Sequence, residues 1–340
     1  MQGTIKKILL GASVVAGISG IAGAPAFAGS LTGASVSGVA GTDYYIYKHV
    51  GSQTVRDDSA SLATVLQGSC TVVAGACNPA GSPGGNVELF ANSEKSPLSP
   101  GSVSQAFTAL SNFLGYNTTT SLTGQIGGKD ITLSSLNALD WFGSSAASAK
   151  TAIASASAIS NPILRAAALN NAINPLYNAS NFATQWFENT LSQYGLLPST
   201  SIAKKAAFNT FLLAGGFQRF SDPNISYVNQ DNDGLIRIGL AGHYNALDLL
   251  GLSGSSPVQV SEVVKVSYKG GPAEYKYSYQ AAQSGLTAAD DGRSHNGEYE
   301  VTLQGDPVAV PEPSAVLGLV TVGGLFAAKR KLNKSFNQTN

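Results

Sequence analysis

Histidine is scarce in this chain. The three in 340 residues, His49, His243 and His295, lie at no spacing that gathers a metal. His-Glu-x-x-His is missing, and so is Gly-x-Ser-x-Gly, which excludes a zinc-protease helix and a nucleophile elbow. A triad built on His243 and Asp248 would find a serine anywhere in so serine-rich a chain, so it carries little weight. "GQIGGKD" lacks the first Gly of a phosphate loop and the Ser or Thr after Lys129. Charge is scarce too, at 12% of residues against about a quarter in ordinary domains. Ser, Thr, Asn, Ala and Gly must fill the surface instead. The formal balance of zero is misleading: without residues 1–28 and 311–340 the remainder carries about −5. That speaks against nucleic acid as a partner.

Long apolar runs are missing as well. Two short ones stand at the ends. The first follows Lys6 and Lys7, runs from Ile8 to Ile21, and closes on Ala26-Phe27-Ala28. Charged, apolar, then small-x-small is the order of a secretory signal peptide, which predicts cleavage after Ala28 by signal peptidase. The other reading is an uncleaved membrane helix, against which the glycines and the cleavage site argue. At the far end Ser314–Ala328 is uncharged and Lys329, Arg330 and Lys331 follow at once. As a helix those residues rise roughly 22 Å, short of the ~30 Å hydrocarbon core. They predict a short transmembrane helix with its basic end cytoplasmic, marginal as a permanent anchor.

Pro311, Glu312 and Pro313 stand just before that helix. The tripeptide, the apolar run and the basic cluster, behind a signal peptide, resemble the PEP-CTERM sorting signal of Gram-negative bacteria. The resemblance implies transient insertion in the inner membrane and cutting at the motif by an exosortase-type membrane protease. The prolines suit this, since they cannot continue a helix and hold the chain extended. "GGNVELFANSE", "ALNNAINPLYNASNFATQWFENTLSQYG" and "FQRFSDPNISYVNQDNDGLIRIGLAGHYNA" look like a set of cyanobacterial proteins carrying the same signal, whose function is undetermined. That likeness implies a cyanobacterial source and a surface or secreted role, and it brings no catalytic residue.

The region between the ends reads as α+β. Residues 29–100 are rich in Gly, Ser and Thr and β-prone, with "TDYYIYKHV", "TVLQGSCTVVAGAC" and "NVELF" as strands. Residues 101–214 read as five or six helices. In "SVSQAFTALSNFLGYN" Val103, Phe107, Leu110 and Leu114 share a stripe, and "ITLSSLNALDWFG" is read the same way through Leu133, Leu136 and either Leu139 or Asp140. Asn161 before Pro162 is a cap, and Gly195 a stop. From 215 to 306 the period turns to alternation: "NISYVNQ", "GLIRIGLAG", "VQVSEVVKVSYKG", "AEYKYSYQAA" and "GEYEVTLQG" predict an antiparallel sheet. Whether the first strands join the last is open. Residues 310–334 complete the chain's plan as the sorting signal.

Cysteine is nearly absent, and the two present, Cys70 and Cys77, have six residues between them in "CTVVAGAC". An exported chain and a hairpin-sized loop predict a disulfide; a metal site, with two thiolates and no near His, is the poorer reading. In "NQDNDGLI", Asn229, Asp231, Asp233 and Gly234 fall at the places of a Ca²⁺ loop, but Leu240 stands where the bidentate Glu belongs. The plainer reading is a hairpin turn at Asp233-Gly234. Tyr275, Tyr277 and Tyr279 alternate, as a row that stacks on sugars does, or as a row packed on a core. Trp141 and Trp186 read as core. Asp290 and Asp291, near His295, read as a solvated loop. The expectation is therefore a non-enzymatic exported surface or matrix protein without a cofactor. The alternatives are a module for exopolysaccharide, with Ca²⁺ as its one candidate ion, and a hydrolase with an unusual site.

Overall fold

The computed structural model describes residues 27–70, 72–77, 83–89, 102–249 and 257–307. Residues 1–26 and 308–340, with the bulk of the expected signal peptide and the whole sorting signal, lie outside them. Among the described residues no helix is long and apolar enough to cross a membrane.

The chain is α+β, built as two mostly antiparallel sheets and a helical layer. The strands are β1 Phe27–Ser30, β2 Thr32–Val36, β3 Tyr45–Val50, β4 Gln53–Arg56, β5 Val72–Val73, β6 Ala76–Cys77, β7 Gly85–Glu88, β8 Ser121–Ile126 and β9 Lys129–Ser134. They continue with β10 Asn224–Asp231, β11 Leu235–Gly242, β12 Val264–Tyr268, β13 Glu274–Lys276, β14 Ala281–Gln283, β15 Thr287–Ala288 and β16 Gly297–Gln304. The larger sheet runs β15-β4-β3-β7-β10-β11-β16-β14-β6-β5, with β1 also on β10; the smaller runs β13-β12-β9-β8-β2. So the first strands do join the last: β3 and β7 continue the ladder of β10, β11 and β16. Two short pairings, β6 with β14 and β4 with β15, are parallel.

Alternation explains why the sheets stack. Ile236, Ile238 and Leu240 of β11 and Tyr299 and Val301 of β16 point to one face and are buried against Leu122, Ile131, Leu133, Val264 and Val266 of the smaller sheet. The helices form a second core around Trp141 and Trp186, whose rings sit 5.4 Å apart. Asn161 caps Pro162–Ile173 by accepting from the amides of Ile163 and Leu164, and Gly195, at φ +65°, ends the helix Phe182–Gln193.

The helical reading of 101–214 needs one correction. Residues 121–134 form the hairpin β8–β9, closed by Gly127 and Gly128 at φ +57° and +73°. Two adjacent positive φ values make the tight turn that suits a hairpin, and Ile126, Ile131 and Leu133 then face one side. Leu133 and Leu139 therefore share no helical stripe; Leu139 is 62% exposed on the short helix Ala138–Phe142. Val103, at the first turn of Val103–Leu114, is likewise exposed. "AEYKYSYQAA" is not one strand either. β13 pairs with β12 in the smaller sheet and β14 with β16 in the larger, so the tyrosine segment crosses between sheets. In "TVLQGSCTVVAGAC" the first two residues, Thr64 and Val65, end the helix Leu62–Val65, and within the stretch only β5 and β6 pair.

Candidate functional site

One stretch of the larger sheet carries polar side chains that reach across a strand. Asn224 to Gln230 of β10 pair with β11, and the register slips between Ile225 and Tyr227. That bulge turns Ser226 and Tyr227 to the same face, where regular pleating would send them to opposite ones. The next strand has no bulk at the two positions they cross: Gly239, opposite Tyr227, and Ala241. A Cβ on Gly239 would stand 2.2 Å from Tyr227 Cε1 and 2.4 Å from Ser226 Oγ. With the gap open, both hydroxyls reach β16. Tyr227 Oη donates to Glu300 Oε2 at 3.0 Å, and Ser226 Oγ donates to Glu298 Oε1.

Glu298 and Glu300, two apart on β16, share this face but not their surroundings. Glu300 is half-buried and takes Arg237 at 2.7 Å on its other oxygen. Glu298 is 4% exposed, between Ala241 and Ala282 on the neighbouring strands. Burial pushes its carboxyl up to about 8, the Glu300 charge adding to the rise and the Ser226 hydrogen bond opposing it. At neutral pH the pair is thus one neutral acid and one ion-paired carboxylate. Burial and the two glutamates also hold the Tyr227 phenol well above its usual range. Beside them lies a half-open cavity of about 250 Å³, with Glu298, Glu300 and Tyr227 on its floor and Ser278, Gln280 and Cys70 among its walls.

The disulfide forms one of those walls. Cys70 and Cys77 are bonded, with Cα atoms 4.9 Å apart, across the β5–β6 hairpin. The hairpin turns at Ala74 and Gly75, both at positive φ, and meets β14 through Ala76 and Gln283.

The other expected residues fall elsewhere. Asn229 and Asp231 are strand residues, and an extended backbone does not wrap a cation. Asn229 Oδ1 accepts from Ser30 Oγ at 3.0 Å, and Asp231 Oδ1 accepts the Leu235 amide at 2.8 Å. Asp233 and Gly234 make the turn, Gly234 at φ +87° with its amide on Asp231 O. The Asn229 and Asp231 oxygens are thus engaged within the fold. The tyrosine row packs inward: Tyr275 stacks on Phe182 at 4.6 Å, Tyr277 is buried, and Tyr279 lies 5.4 Å from it. It offers no open platform for a sugar ring. His295 is buried, with Nδ1 2.6 Å from Thr54 Oγ1 and its ring edge-on to Tyr47. Burial, against the pull of Asp290 and Asp291, pushes it down to about 4, so it is a neutral core histidine. Asp290 accepts from Tyr47 Oη, and Asp291 from the amides of Arg293 and Ser294, which fixes their loop. The His243 carbonyl accepts Tyr299 Oη, and the Asp248 side chain lies outside the described residues. Ala28 falls in β1, whereas Ala26, Pro311, Glu312, Pro313, Lys329, Arg330 and Lys331 lie outside the described residues.

Glu298 and Glu300 were not among the sequence candidates. The one signal was the alternation Glu-Tyr-Glu in a strand; the bulge that brings two hydroxyls to them has no sequence mark. Comparison with family models, curated proteins and solved structures finds no match for this chain.

Proposed function

We propose that this is an exported, non-enzymatic protein of the cell surface or extracellular matrix, sorted by a PEP-CTERM-type signal. The observation that carries the reading is the order at residues 311–331: Pro311-Glu312-Pro313, an uncharged run and Lys329–Lys331, behind an N-terminal stretch that ends on Ala26-Phe27-Ala28. Signal peptidase and an exosortase-type protease are its processing partners, and the Ser314–Ala328 helix holds it briefly in the inner membrane. The Cys70–Cys77 bond supports an oxidising destination. Low charge on an acidic body suits a crowded matrix and disfavours nucleic acid. Intact-mass measurement of the protein from cell fractions tests this. Export predicts a chain that begins at Gly29, ends near Pro313 and is recovered outside the cytoplasm. A cytoplasmic chain that keeps Met1 and Asn340 overturns it.

A further inference from the structure

We propose that the cavity beside the disulfide hairpin is a binding site for one uncharged, polyhydroxylated ring, a single sugar unit, held by Glu298 with Ser278 and Gln280. This does not rest on export, and it uses none of the tyrosines of the 275–279 row.

Three observations carry it. The first is an unused oxygen. Glu298 is 4% exposed and lines the cavity, and its Oε1 is taken by Ser226; among the described residues nothing hydrogen-bonds its Oε2. That oxygen is open to the cavity, where water or a ligand hydroxyl can meet it. The second is charge. Glu300 is paired with Arg237, which also lies 3.9 Å from Asp231, and burial raises Glu298 to about 8, so at neutral pH the floor presents no unpaired carboxylate. An anion would face Glu300 without a free cation, and an amine would compete with Arg237. An uncharged ligand meets neither difficulty.

The third is the kind of group presented. A protonated carboxyl both donates and accepts, and so does the exposed Gln280 side-chain amide; Ser278 Oγ, which donates to Gln280 O and accepts from Gln280 N, has a lone pair left to accept. Sugar hydroxyls likewise donate and accept. Ala281, Ala282 and Val72 supply apolar wall for the C–H face of a ring. At about 250 Å³ the space lies just below the usual ligand-pocket range of roughly 300 Å³ and up, which fits one ring and excludes a long buried chain.

The test is ligand-observed NMR titration of the purified full-length protein with methyl glucoside, methyl galactoside and methyl mannoside. Glucuronate and glucosamine serve as charged counterparts. At pH 6.5 we expect saturable binding of at least one neutral glycoside in the millimolar range, and weaker binding of both charged sugars. Glu298→Gln keeps a donor and an acceptor and should retain affinity within about threefold, whereas Glu298→Ala should lose about tenfold. Wild-type affinity should fall as pH rises past 8, and that of Glu298→Gln should not. Gln280→Ala, at the exposed rim, should weaken binding severalfold and leaves the buried floor intact if Glu298→Ala fails to fold. The proposal is overturned if no neutral glycoside saturates up to about 50 mM. It is also overturned if a charged sugar binds best, or if Gln280→Ala and the Glu298 variants all bind like wild type.

Discussion

At the scale of single residues, two buried titratable groups oppose each other. His295 titrates near 4 in the fold against an ordinary value of 6.5, so the unfolded chain takes its proton first. Its contribution to stability is therefore present above pH 6.5 and is lost as pH falls towards 4. Glu298 runs the other way. Its folded value near 8 stands above the ordinary 4.5, so its contribution is present below pH 4.5 and drains away as pH rises through 8. At about 1.4 kcal/mol per unit the Glu298 effect is at most a few kcal/mol. Between pH 4.5 and 6.5 the two slopes offset each other, so urea unfolding should show wild-type stability falling only from about pH 6.5 to 8, and no such fall in Glu298→Gln. Equal slopes would mean the carboxyl is not protonated in the fold. Gly239 gives a prediction of a different kind. Gly239→Ala puts a methyl into the Tyr227 ring and the Ser226 hydroxyl, both packed, and should cost about 1–3 kcal/mol. The loss should be larger than for Gly242→Ala, whose Cβ would stand 3.5 Å from the Tyr299 ring.

At the scale of elements, the disulfide hairpin and the helix at Ala138–Phe142 differ in how they are tied in. The hairpin meets the sheet through one short parallel pairing, and Val72 and Val73 are exposed. A bond closing so short a loop contributes about 2–3 kcal/mol. Reduction should therefore speed hydrogen exchange at residues 70–77 and leave β10, β11 and β16 protected. Exchange rising equally throughout would show that the bond holds the whole fold. The helix buries Trp141 and Phe142 in the helical core and is tied to the smaller sheet through one carboxylate. Asp140 Oδ2 accepts the Asn137 amide in a capping box, while Oδ1 takes Lys265 Nζ and Tyr275 Oη, each at 2.8 Å. One side chain thus caps a helix and ties it to the smaller sheet. Asp140→Ala strips the cap and leaves the Lys265 ammonium, half-buried, without its carboxylate. A loss of about 2–4 kcal/mol in denaturant melts is expected, more than the ~1 kcal/mol of Asn161→Ala, which removes a cap alone.

At the scale of the whole molecule, the two cores share one stretch of chain. Val260 and Val263 belong to the helical core, and Val264 and Val266, the next inward positions, to the sandwich. Neither core can melt without displacing the other's side chains. Tryptophan fluorescence, which reports Trp141 and Trp186 in the helical layer, should lose its native signal at the same denaturant concentration as the far-UV signal of the sheets. Two separated transitions would contradict a single cooperative unit. Export imposes a further condition at this scale. Cleavage after Ala28 would leave Gly29 and Ser30, which pair with Gln230 and Asn229, as the new end of the chain. The Ser30–Asn229 hydrogen bond lies beyond the cut and survives it.

By itself the sequence determined what local chemistry can settle. The Asn161 cap, the Gly195 stop, the Asp233-Gly234 turn and the Cys70–Cys77 loop each depend on a few adjacent residues, and the alternation of β11 and β16 shows in their own side chains. The α+β division followed from the change of period near residue 215. The β8–β9 hairpin was misread because three leucines at helical spacing masked a Gly-Gly turn. Only the tertiary structure decided which strands are neighbours, that the tyrosine row faces the helices, and that Glu298 is buried beside a cavity. Those facts depend on residues far apart in the chain, such as Ser226, Gly239 and Glu298, and pairing over such distances leaves no periodic mark on any one of them.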